Sequence, residues 1–144
     1  MADSEFMACA DTILKRLTAA GEVWGEHAFL HAAPEGTPTT GVFVTFSWTG
    51  GGEENRLVSK RDPTLIWNIL AHSESFDLVS QAAARIATLL DDADLTKAGA
   101  LPNLGGWVFK TVSIDQPLFR IEYIDGTRRV YAQGGRYRFT MEEV

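Results

Sequence analysis

At 144 residues, with 45% hydrophobic and 22% charged residues, the chain has the composition of an ordinary globular protein, long enough to bury about two thirds of the surface its unfolded form exposes. A formal net charge of -6 argues against a dedicated nucleic-acid binder, which needs a net basic face to neutralise phosphates, and the single cysteine, Cys9, excludes an intramolecular disulfide. Apolar runs fall short of the about 18 residues that a membrane-spanning helix requires, and the first residues, with Asp3 and Glu5, lack a basic leader region, so the expectation is one domain over residues 1–144 that stays in the cytoplasm where it is made.

Phe6, Cys9, Ala10, Ile13, Leu14 and Leu17 recur at helical spacing and predict an amphipathic helix from about Ser4 to Ala20, closed by Lys15, Arg16 and then Gly21. Cys9 lies among apolar neighbours there and reads as a buried structural thiol. A short strand is expected near Ala28 to His31, followed by a loop marked by Pro34, Gly36 and Pro38. His27 and His31 have a spacing that could hold a metal on one helix face, but no carboxylate or third histidine stands in frame, so they read as surface histidines and no metal is expected.

Gly41 to Trp48 alternates, with Val42, Val44, Phe46 and Trp48 against Phe43, Thr45 and Ser47, as a half-buried strand does. Gly50, Gly51 and Gly52 then predict a mobile hairpin tip that turns acidic at Glu53 and Glu54. They are not a phosphate loop, because the lysine and the serine or threonine of that pattern are missing and the glutamates would repel phosphate. Leu57 to Lys60 begins a return strand, interrupted at Asp62-Pro63.

In the run from Thr64 to His72 both alternating sets are largely apolar, which predicts a central strand covered by a helix on one face and by a neighbouring subunit on the other. After a break at His72 to Ser75, the residues Phe76, Val79, Ala83, Ile86 and Leu90 stack on one helical face, with Ser75 as N-cap and Asp77 at the positive end of the dipole. Asp91, Asp92 and Asp94 stop this helix and lack the spacing of a calcium loop. Leu95 to Gly106 reads as a loop.

From Trp107 the chain is β-structured again. Trp107, Phe109, Val112 and Ile114 predict a strand with one register change, Pro117 an irregularity, and Asp125-Gly126 a tight turn into a partner strand from Arg128 to Met141. Gly134-Gly135 is expected to form a bulge. Arg128, Arg129, Arg136 and Arg138 concentrate positive charge in this hairpin, whereas Glu53, Glu54 and the aspartates near Asp92 are negative. Such polarity reads either as a solvated strand face or as complementary basic and acidic ends that would favour head-to-tail association into a ring. The fold class expected is α+β, a mostly antiparallel twisted sheet with two amphipathic helices packed on it and a long C-terminal β-hairpin.

This order of elements, closing on Arg136-Tyr137-Arg138-Phe139 and then Glu142-Glu143, resembles the tail-terminator or tail-completion proteins of long-tailed bacteriophages and of related prophage or gene-transfer particles. The resemblance spans residues 4–143 and brings no catalytic motif. It implies a non-enzymatic virion protein, assembled in the host cytoplasm, that forms a hexameric ring with itself at the head-tail junction. Its other partners would be the tail tube protein and a head-completion or connector protein. DNA would pass through the lumen without sequence-specific contact, and neither a membrane nor a cofactor is involved. The surfaces expected to make contacts are Gly50, Gly51, Gly52, Glu53 and Glu54 and the arginines Arg128, Arg129, Arg136 and Arg138. One alternative is a head-tail connector or head-completion neck protein. Another is a small α+β ligand-binding domain whose pocket Trp24, Trp48, Trp67 and Trp107 would line, with His72 or Asp77 as its polar group.

Overall fold

The computed structural model describes residues 5–18, 22–52, 64–90, 107–124 and 128–143. They form two helices, α1 (Glu5–Leu17) and α2 (Phe76–Leu89), and five strands, β1 (Ala28–Leu30), β2 (Phe43–Gly52), β3 (Thr64–Ser73), β4 (Trp107–Ile124) and β5 (Arg128–Glu143). The strands make one sheet in the order β1-β2-β3-β5-β4. Neighbours are antiparallel except β1, which runs parallel to β2. This is the expected α+β class with its C-terminal hairpin.

β3 occupies the centre, as its two apolar sets predict. Leu65, Trp67, Ile69 and Ala71 are buried on one face, and Leu70 and His72 on the other. The chain's own residues therefore bury that second face at Leu70 and His72, while Ile66 and Asn68 on the same face stay partly exposed.

Both helices cover the first face. Phe6 of α1 packs its ring against Trp67 and Trp48, with centroids 5.3 and 5.6 Å apart, and Ser80 of α2 donates to Gln133 Oε1 of β5 at 3.0 Å. Arg16 Nε donates to the carbonyl of Leu89 at 2.7 Å, tying the end of α1 to the end of α2. As expected, the Ser75 hydroxyl caps α2 by accepting from the Leu78 amide. Val79, Ala82, Ile86 and Leu89 form the buried stripe of α2. Phe76 departs from it, being 50% exposed, because the first turn overhangs the sheet near the β4 edge.

Cys9 is fully buried, and burial pushes its thiol far above the usual range, with the Trp67 indole a smaller opposing influence. Trp24, Trp67 and Trp107 are core residues, while Trp48 is 44% exposed. The four therefore line no common pocket.

Three strand features differ from the sequence expectation. First, β2 does not end at Trp48: Gly50, Gly51 and Gly52 pair with Ile66, Leu65 and Thr64 after a register shift at Thr49. Glycines carry no side-chain alternation, so the sequence gives no period-2 signal for a strand that the ladder to β3 nonetheless supports. Second, Gly134 and Gly135 form no bulge; β5 keeps its register through both. Third, β4 has two register changes where one is expected: the expected shift falls between Phe109 and Thr111, and a second lies between Ile114 and Gln116. The expected return strand at Leu57 to Lys60, the break at Asp62-Pro63, the aspartates Asp91, Asp92 and Asp94, the loop from Leu95 to Gly106 and the turn at Asp125-Gly126 lie outside the described residues.

Candidate interaction surface

Among the described residues β4 ends the sheet, and its two halves have different surroundings. Trp107, Phe109 and Val112 are buried, but Ile114, Phe119, Ile121 and Tyr123 are 51%, 52%, 43% and 62% exposed. The cause is geometric: the strand has 18 residues and runs past the layer that the helices cover. Pro117, which lacks an N–H, is tolerated because this is an edge strand.

On the helix side of this overhang, Phe76 meets Phe119 edge-on at 6.1 Å and Tyr131 edge-on at 5.5 Å, while Phe119 and Tyr131 stack at 6.4 Å. The aromatic trio borders an open apolar groove of about 410 Å³ lined by Phe76, Pro117, Leu118, Phe119, Gln133 and Gly134. Sequence reasoning placed Phe76 in the core and gave Phe119 no role. The available signal was the alternation of Phe119, Ile121 and Tyr123 against Arg120 and Glu122 beside Pro117, a residue that sheets confine to edges and bulges.

The four hairpin arginines do not form one patch. Arg138 makes a bidentate pair with Asp115, at 3.1 Å through Nε and 3.0 Å through Nη2, and Arg136 Nε donates to Asn68 Oδ1 at 3.4 Å. Both lie on the face away from the helices. Arg129 Nη1 donates to the Tyr131 hydroxyl at 3.2 Å, on the helix side, and Arg128 Nη1 donates to Thr39 Oγ1 at 3.3 Å. Gly50, Gly51 and Gly52 belong to β2, separated from β4 by β3 and β5; Glu53 and Glu54 lie outside the described residues.

The face away from the helices carries a second polar feature. His72 Nε2 is 2.8 Å from Thr45 Oγ1 and its Nδ1 is 3.2 Å from Glu122 Oε1. The imidazole stacks on Phe43 with centroids 4.6 Å apart, and Arg120 Nε also reaches Glu122 Oε1 at 3.3 Å. A hydroxyl, an imidazole and a carboxylate in a row resemble a nucleophile relay. Thr45, however, sits inside β2 between Phe29 of β1 and Leu70 of β3, so the surrounding amides serve the ladders and are not free to hold an oxyanion. The row acts instead as a brace that joins β2, β3 and β4 across Ala132, which is fully buried between His72 and Arg120.

Burial lowers the His72 pKa, opposed by Glu122 and assisted by Arg120. The neutral ring donates from Nδ1 to Glu122 and accepts at Nε2 from Thr45. A histidine whose folded pKa lies below its unfolded value of about 6.5 contributes stability that is present above that value and is lost as pH falls through it. The groups that face it are Glu122 and Arg120 of β4, Thr45 and Phe43 of β2, and His31 after β1. Urea unfolding between about pH 5 and pH 8 should therefore show stability falling on acidification, with a shallower fall in His72→Gln than in a His31→Gln control. Equal slopes in the two variants would remove the assignment.

Among the described residues, no group of three His, Cys, Asp or Glu side chains gathers to hold a metal ion, and no helix is long and apolar enough to cross a membrane. His27 stacks on Phe29 and His31 on Phe6, so the two do not share a helix face.

Neither a protein-family model nor a curated protein matches the sequence. Among solved structures, the chain is similar to one from the structure titled "Virion of native gene transfer agent (GTA) particle", with a TM-score of 0.57 and 16% identity over 90% of this chain and 91% of that one. At that identity the likeness is one of fold.

Proposed function

We propose that this chain is a non-catalytic structural protein of a phage-like virion, which caps the tail tube as a ring, stops tube polymerisation and joins the tail to the head-completion complex. The observation that carries this reading is the shared fold, which spans about nine tenths of both chains and whose counterpart belongs to a gene transfer agent virion. The order of elements and the closing Arg136 to Phe139 alternation point the same way, through their resemblance to tail terminators. An overhanging, partly apolar β4 edge suits a subunit that is completed by neighbours. A net charge of -6 suits a lumen through which DNA passes without adhering.

The test is the tail-length distribution, by negative-stain electron microscopy, in lysates of the source particle with this gene inactivated. Overlong tails without heads are expected. Tails of normal length beside full, unattached heads would instead make the protein a head-side connector or completion protein, and unchanged particles would sink both placements.

A further inference from the structure

The two edges of the sheet differ in chemistry. Near the β4 edge, the described residues 115–124 and 128–138 carry five arginines, Arg120, Arg128, Arg129, Arg136 and Arg138, against two acids, Asp115, which pairs with Arg138, and Glu122. Arg120 and Arg129 are exposed there, Arg129 on the face of the sheet that carries the aromatic groove and Arg120 on the opposite face beside Glu122. At the opposite edge, the described residues 22–52 contain three acids, Glu22, Glu26 and Glu35, and no lysine or arginine. Arg85 takes up the charge of Glu22 at 2.8 Å. Glu26 and Glu35 are exposed, in the same segment as Val23 and Leu30, large apolar side chains that are 55% and 41% exposed.

We infer that, when copies of this chain associate, the β4 edge of one docks on the β1 edge of the next, with Val23 or Leu30 seated in the Phe76–Phe119 groove and Arg120 and Arg129 facing Glu26 and Glu35. This rests on the ring reading above and specifies which surfaces meet. A two-fold contact would set each edge against its own copy, arginine against arginine or glutamate against glutamate, which like-charge repulsion disfavours. Two different, complementary patches at opposite edges give a head-to-tail contact, the kind that closes into rings. Both strands end the sheet among the described residues, so their outer peptide groups can add hydrogen bonds across the joint.

The test places the photo-crosslinking residue p-benzoylphenylalanine at Phe119 in the full chain, and in a second variant at Tyr123. Both positions are more than half exposed, so the fold tolerates the change, which circular dichroism checks. Oligomers resolved by sedimentation velocity are irradiated, digested and mapped by mass spectrometry. The expected intermolecular crosslinks fall in residues 22–36. In parallel, Arg120→Glu with Arg129→Glu should weaken association by about tenfold or more, as should Glu26→Arg with Glu35→Arg, and the four changes together should restore it. Oligomers whose crosslinks join β4 to β4, or map elsewhere, overturn this interface and leave the ring reading standing. A chain that stays monomeric at every concentration overturns the interface too, and the tail-length phenotype then decides the ring reading on its own.

Discussion

Replacing Ile86 by aspartate is expected to leave the chain unfolded. Ile86 is fully buried at the centre of the α2 stripe, in the same apolar core as Trp67, Ile69 and Phe139. An aspartate there either carries an unpaired charge into a low-dielectric interior or is held protonated at a cost, and it also removes the packing of a large side chain. The combined loss exceeds about 4 kcal/mol, a large share of the about 5–15 kcal/mol by which a domain is stable. Gln81, which is exposed on the same helix, provides the control: Gln81→Glu should change stability by no more than about 0.5 kcal/mol. A soluble Ile86→Asp protein with an unchanged thermal midpoint would refute the packing of α2 on the sheet.

The second large effect is expected at Gly134. A Cβ placed on it would lie 1.9 Å from the Ile69 carbonyl oxygen, 2.9 Å from its carbon and 3.0 Å from the Leu70 Cα. All three atoms are backbone of β3, held in the ladder that joins β3 to β5, so the clash cannot be relieved by turning a side chain. Gly134→Ala should therefore lower unfolding free energy by about 3 kcal/mol or more, nearly as much as Gly134→Val, because the first carbon already does the damage. Gly135 makes the useful contrast. Its added Cβ would meet Ile114 Cδ1 at 2.5 Å and Cγ1 at 2.9 Å, in a half-exposed side chain that can swing away, with a milder backbone contact to the Gln116 carbonyl oxygen at 3.3 Å, so Gly135→Ala should cost about 1–2 kcal/mol, clearly less than Gly134→Ala. Urea titrations of the three variants test the ranking. A Gly134→Ala protein as stable as the parent would mean that β3 and β5 do not approach this closely.

The same pair of glycines illustrates what reading by pattern misses. Two glycines in a strand signal either a bulge or a close approach of another backbone, and nothing local separates the two. Here the neighbours decide: β5 runs unbroken between β3 and β4, and the extra residues fall on β4. One of them, Asp115, then becomes the partner of Arg138, a pairing between residues 23 positions apart that depends on the bulge.

Periodicity and capping alone were enough for α1, α2, the central place of β3 and the C-terminal hairpin, because these depend on interactions within a few residues or on which side of an element is apolar. Ser75 caps α2 whatever the sheet does, and two apolar faces on one strand demand a central position. Other features required the assembled sheet. Alternation says that Phe119, Ile121 and Tyr123 share a face, but only the reach of the helices decides that this face stays open. It likewise cannot show that Phe76 overhangs the edge, that His72 finds Thr45 and Glu122 on two different strands, or that the hairpin arginines divide between both faces. Burial and partner choice are properties of where elements end relative to one another, and that distance is set by tertiary packing.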